Sequence, residues 1–112
     1  MRKYMSFPMT VNQFRNKTKT VTRRFGWHFL LPGAILQGVE KARGLKKGER
    51  INHLGTIRIL SVRKEPLNEI TQEDCIKEGF PEMNPEAFIF MFCREMRCVS
   101  YDSVKRIEFE YL

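Results

Sequence analysis

The chain has no apolar run approaching the roughly 20 residues needed to cross a bilayer. Its start, Met1-Arg2-Lys3-Tyr4-Met5-Ser6-Phe7-Pro8, is charged but lacks the extended apolar stretch of a secretory leader. No membrane partner is expected, and the expected setting is the cytoplasm. Internal repeats, low-complexity tracts and linkers are also missing, which leaves a single domain over residues 1–112. Cysteine is sparse and odd in number, so Cys75, Cys93 and Cys98 cannot all pair within one chain, and free thiols are expected. A zinc site would have to join Cys93 and Cys98 to the distant His28 or His53, so no metal is expected, nor any other cofactor. Cys93 sits amid Phe and Met and reads as a small buried hydrophobe. Acid is short as well: 13 Asp and Glu stand against 20 Lys and Arg.

That imbalance gives a formal charge of +7, which favours an anionic partner such as nucleic acid. The rival, a membrane surface, would want a long basic amphipathic helix, and the sequence shows none. Nine Phe among 42% hydrophobic residues supply a real core. Chemistry concentrates at residues 17–24, Lys-Thr-Lys-Thr-Val-Thr-Arg-Arg. In an extended chain Thr20, Thr22 and Arg24 share one face, and Val21 and Arg23 the other. Hydroxyls beside a guanidinium suit phosphate, ribose or a base edge, and a Lys beside a Thr is the minimum for an activated hydroxyl nucleophile. The same residues also describe a solvated, charge-protected edge strand.

Thr10-Val11-Asn12-Gln13 matches a capping box that opens a short helix ending near Asn16, with Val11 and Phe14 on its apolar face. A strand over 18–24 follows. The aromatic segment 25–31 then turns at Pro32-Gly33. Trp27 and Phe29 suit either base stacking or the core, and His28 either a turn or catalysis. Ala34 to Glu40 reads as a strand. The basic connection 41–50, with Lys41, Arg43, Lys46 and Lys47, is a candidate clamp on a phosphate backbone or a solvated hairpin tip. A second strand covers 51–62, with Gly55 marking a bulge and Ile57 and Ile59 on the face opposite Arg58. Thr71 and Asn84-Pro85 open two helices, and Gly79 is placed to end the first. Phe88, Phe92 and Met96 form a core-facing stripe on the second. Strict alternation over 106–112 predicts a half-buried antiparallel strand. Helices that interrupt strands without regular alternation indicate α+β, a small curled barrel flanked by helices.

The set resembles the ASCH domain family, which has a PUA-like fold. The residues that carry the likeness are Lys-Thr-Val-Thr-Arg-Arg at 19–24, Leu-Pro-Gly at 31–33, Ile-Lys-Glu-Gly-Phe at 76–80 and the alternating last strand. Their order spans nearly the whole chain, and the likeness is greatest to small phage and prophage members. The resemblance implies a β-barrel with helices beside it, a cleft between them, and RNA as partner. Some small bacterial members are amidohydrolases that deacetylate N4-acetylcytidine with a Lys, a Thr three residues later and a Glu on a downstream helix. These match Lys19, Thr22 and Glu78. Another member has been described as a single-strand ribonuclease. This chain departs from the pattern in the 41–50 loop and the aromatic-rich 84–97 helix.

Three functions follow as expectations. The first is an amidohydrolase on an N4-acylated cytidine through Lys19, Thr22 and Glu78. The second is a non-catalytic RNA-binding module using Lys17, Thr20, Arg23, Arg24, Trp27 and the 41–50 cations. The third is a single-strand ribonuclease. In the first, Lys19 must lose its proton, which burial and Arg24 favour and a charged Glu78 opposes. In the second, Lys19 and Glu78 are an ordinary ion pair. Oligomeric state stays open: a last strand at a sheet edge could pair with a second copy, but its Glu108 and Glu110 argue against a sticky edge.

Overall fold

The computed structural model describes residues 3–112; Met1 and Arg2, which belong to the charged start noted above, lie outside the described residues. Five strands form one sheet in the order β1-β3-β4-β5-β2, with β1 at Lys3–Ser6, β2 at Val21–Arg24, β3 at Ile35–Val39, β4 at His53–Pro66 and β5 at Ser103–Tyr111. β1 runs parallel to β3 and every other pair is antiparallel. Helices α1 (Val11–Arg15), α2 (Gln72–Lys77) and α3 (Pro85–Met96) flank the sheet. The class is α+β, a curled half-barrel with helices beside it, as the mixed order of elements predicts. No helix of the described residues is long and apolar enough to cross a membrane.

The curl brings together strands that the sheet order places at opposite ends. Arg24, at the end of β2, donates from Nη2 to the Ser6 carbonyl of β1 at 2.6 Å, and its guanidinium lies 4.8 Å from the Phe7 ring centroid. Inside the curl, Phe7, Phe14, Ile57, Ile59, Ile107 and Phe109 are fully buried. Phe14 reaches the sheet where Gly38 of β3 faces Gly55 of β4. A Cβ on Gly38 would collide with the Phe14 ring, and one on Gly55 would come within 3.3 Å of it. The register shifts beside this pair, so Gly55 marks the bulge its sequence suggests.

A second apolar cluster joins α2, α3 and the far end of the sheet through Leu67, Cys75, Phe88, Phe92 and Val104. Asn84 caps α3 by accepting from the Ala87 N–H at 2.8 Å, with Pro85 at the first turn. Met96, the last member of the predicted stripe, is half exposed because α3 ends there, at a left-handed Arg97.

Several expectations need correction. β1 precedes the first predicted element, the α1 helix, and is an additional strand. Thr10 makes no side-chain cap on α1, and the box does not close: the Thr10 N–H donates to the Phe7 carbonyl at 3.3 Å, and the Gln13 side chain that would accept it donates instead to the Gly79 carbonyl at 3.1 Å. β4 runs on to Pro66. β5 lies between β4 and β2 and is not an edge available to a second copy. β2 is an edge strand, as a charge-protected edge at 17–24 requires, yet Val21, Thr22 and Arg23 are all buried and the strand is not solvated.

Candidate functional site

Two backbone bonds fix the chain just ahead of β2. The Thr20 N–H donates to the Lys77 carbonyl at 2.8 Å, and the Thr20 carbonyl accepts from the Phe109 N–H at 3.0 Å. Thr20 is therefore the stitch between α2 and β5. The Tyr111 hydroxyl donates to the Lys19 carbonyl. Lys19 is thus held from both sides of its backbone.

The end of α2 meets it. Phe80 N–H bonds to the Cys75 carbonyl and Gly79 N–H to the Ile76 carbonyl, both at 2.9 Å, the paired bonds of a Schellman ending. This requires a left-handed residue, and Gly79 has φ +100°. Glu78 is the cap residue, so its own carbonyl is released from the helix. Lys19 Nζ donates to that carbonyl at 2.8 Å and to Glu78 Oε1 at 2.8 Å. Two of the three ammonium donors are spent on one residue, 59 positions away in the chain.

Lys19 and Glu78 are almost completely buried, and this sets their electrostatics. Burial pushes the Lys19 ammonium below its ordinary range. The Glu78 carboxylate pushes back, and the Arg24 and Arg23 charges add to the lowering. Burial prevails even with the ion pair in place. The Arg24 guanidinium is likewise brought down by burial, to about 10.

Behind Glu78 stands a buried ion network. Arg23 donates from Nη1 to Glu78 Oε2 at 3.3 Å, and from Nη2 to Asp74 Oδ2 at 2.6 Å and Glu65 Oε1 at 3.2 Å. Arg106 clasps Asp74 with both donors, at 2.7 and 3.0 Å. Arg106, and then Arg23, hold the Asp74 carboxyl far below the usual carboxylate range against the opposing effect of burial. Asp74, Glu65 and Arg106 carry no functional signal in the sequence. Asp74 reads as a first-turn helix residue, which it also is, since its N–H donates to Thr71 Oγ1 at 3.1 Å. Arg106 alternates with Ile107, so pattern alone points it at water; the network on Asp74 buries it instead.

On the other face of β2, Thr22 Oγ1 accepts from Arg24 Nε at 3.0 Å, as their shared face predicts. The hydroxyl proton stays free to be given away. Lys19, Thr22, Arg23, Arg24 and Glu78 then form the polar side of one cleft of about 100 Å³. Its apolar side is built from both cores: Phe7 of the barrel, and Phe80, Phe88, Met91, Phe92 and Met96 from around α3.

The remaining sequence candidates lie elsewhere. Thr20 serves the backbone, and Lys17, at φ 60°, is an exposed turn residue beyond α1. Trp27 packs against the barrel core and, with His28 and Arg43, lines a separate groove. Phe29 is 91% exposed. In the 41–50 loop Lys41 pairs with Glu49 at 3.2 Å, and the same carboxylate accepts from the Lys46 N–H at 2.8 Å; neither these residues nor Lys47 line the cleft. The Cys93 and Cys98 sulfurs sit 3.7 Å apart, and burial together with Cys93 pushes the Cys98 thiol up to about 11. Among the described residues no group of three or more His, Cys, Asp or Glu is placed to hold a metal ion.

No protein-family model matches the sequence, and no curated protein matches it. Among solved structures, protein EF3133 from Enterococcus faecalis V583, described under the family model DUF984, is similar with a TM-score of 0.68 at 16% identity. The likeness covers 100% of this chain and 80% of that one. At that identity it shows the fold: a curled five-strand sheet with three flanking helices, compatible with a small PUA-like barrel.

Proposed function

We propose that this chain is an ASCH-like domain that recognises RNA or a modified nucleoside, and that its cleft hydrolyses the acyl amide of an N4-acylated cytidine. One observation carries the reading. Lys19, Thr22 and Glu78, drawn from two distant segments, meet at the floor of a single cleft whose other wall is aromatic and Met-rich. Such a wall suits a flat pyrimidine, and the polar floor suits its acylated edge.

The chemistry assigns each group a task. Once it has given up its own proton, which burial favours, the Lys19 amine takes the Thr22 hydroxyl proton as Oγ1 forms a bond to the acyl carbon. Arg24, bonded to the same oxygen, favours its loss of a proton. The carbon–nitrogen bond then breaks, and Lys19 returns the proton to the departing cytidine amine. Water, deprotonated by Lys19, attacks the acyl ester on Thr22, releases the acid and restores the hydroxyl. Glu78 positions Lys19, while Arg23, Asp74 and Arg106 position Glu78. Arg24 is better described as holding Thr22 than as the oxyanion donor, because its Nε and Nη2 are already engaged on Thr22 and Ser6.

The intermediate is the test. Protein quenched during turnover of N4-acetylcytidine should carry an acetyl group on Thr22 by peptide mass spectrometry, and Thr22→Ala should carry none. Turnover with no acylated Thr22 would remove the nucleophile from the account. The rival, a non-catalytic RNA module, is favoured by the closed Lys19–Glu78 pair, and it predicts binding without any turnover. A cytoplasmic setting belongs to either reading, since the three free thiols suit a reducing compartment.

A further inference from the structure

Directly opposite positions on β2, β5 and β4 set two rows of cations across the sheet. One row is Arg23–Arg106–Arg63 and the next is Arg24–Lys105–Lys64. Neighbouring rows point to opposite faces. In the first, Asp74, Glu65 and Glu78 neutralise the buried guanidiniums. The second has no such answer. Among the described residues no carboxylate lies within ion-pair distance of Arg24, Lys105 or Lys64, and Lys105 Nζ has only the Trp27 carbonyl, at 3.5 Å. Like charges set directly opposite oppose strand pairing, so this row costs stability in the free protein.

The row also leads somewhere. A hollow of about 260 Å³ is lined by Arg24, Lys64, Lys105, Phe25 and His28. It shares Arg24 with the cleft, and Phe25, Gly26 and His28 with an open groove of about 690 Å³. That groove adds Lys3, Arg43, Trp27 and the exposed Phe29. No acid lines either hollow. Cations spaced across strands, followed by an aromatic face with nothing stacked on it, are the parts of a track for single-stranded polynucleotide. We infer that Lys105 and Lys64, which continue the row beyond the engaged Arg24, bind successive phosphates of a single-stranded RNA whose flanking bases run on to Phe29, so that the cleft receives its nucleoside as part of a polymer. The direction of the strand, into the cleft, rests on the function proposed above; the binding surface does not.

The test uses unmodified oligouridylate with a fluorescent end label, so that turnover plays no part. Wild-type protein is titrated by anisotropy at several salt concentrations beside Lys64→Glu/Lys105→Glu. A second double variant, Arg15→Glu/Arg94→Glu, makes the same change in net charge outside all three hollows. The track variant should bind at least about tenfold more weakly than the control variant. Its log-affinity against log-salt slope should fall by about 1.4, for two phosphates at about 0.7 each. Phe29→Ala should lose about tenfold, one stacked base. Lys64→Glu alone replaces a like pair by an opposite one, so its melting temperature should hold or rise while its RNA affinity falls. Wild-type affinity in the track variant, an equal loss in the control variant, or displacement of the oligonucleotide by uridine monophosphate at matched phosphate concentration would each overturn the inference.

Discussion

Burial and the Glu78 carboxylate pull the Lys19 proton in opposite directions, and burial prevails. A base of that kind should show as an ascending limb in kcat/KM against pH, with its midpoint below the ordinary lysine value of about 10.4. Glu78→Gln removes the group that raises Lys19, so the limb should shift to lower pH even as the maximum rate falls. A limb that stays in place would mean that the titrating base is not Lys19. Asp74 makes a prediction about stability. Its folded pKa is depressed by Arg106 and Arg23, so its contribution is complete above the unfolded carboxylate value of about 4 and drains away as pH falls below it. Asp74→Asn should cost about 3–5 kcal/mol at neutral pH, because it leaves Arg23 and Arg106 buried without their shared anion. Urea unfolding of the two proteins should show that gap narrowing below about pH 4.

Among the elements, the end of α2 governs the site. Gly79 supplies both the left-handed turn and the room beside Gln13, where a Cβ would come within 2.9 Å of Gln13 Cγ. Gly79→Ala should cost about 1–2 kcal/mol in thermal unfolding and weaken catalysis, since it shifts Glu78 against Lys19. Asn84→Ala, which removes the α3 cap, should cost about 1 kcal/mol and spare the site. The features at Gly79, Asn84-Pro85 and Ile57–Ile59 were legible because their signals are local: a turn conformation, a cap, a two-residue period. β1 was not, because Lys3–Ser6 is short and only Met5 in it is fully buried. The capping box at Thr10 does not form because other acceptors take both of its ends, the Gly79 carbonyl the Gln13 side chain and the Phe7 carbonyl the Thr10 N–H. The site itself was half legible. Lys19, Thr22 and Glu78 came from resemblance, and no pattern in sequence brings Glu65, Asp74 and Arg106 onto Arg23 across three separate elements.

For the whole molecule, the charge of +7 is not spread evenly. Glu78, Asp74 and Glu65 are spent inside, on Lys19, Arg23 and Arg106, while Lys64, Lys105, Lys3 and Arg43 line hollows that hold no acid. Arg24 stands at the junction. It closes the curl onto Ser6 and Phe7, holds Thr22, and begins the unneutralised row. Arg24→Ala should therefore lower the melting temperature and also reduce turnover, whereas Lys64→Glu should reduce RNA binding alone. Equal thermal effects of the two substitutions would contradict the role of Arg24 as the clasp of the barrel.

The most direct measurement is chromatography of N4-acetylcytidine, free and within a short single-stranded RNA, after incubation with purified wild type and with Lys19→Ala. Wild type should deacetylate it, with a rate lower by at least about a hundredfold in the variant and cytidine as the only nucleoside product. Unchanged substrate with wild type, or shortened RNA in place of cytidine, would contradict the assignment of Lys19, Thr22 and Glu78 to deacylation.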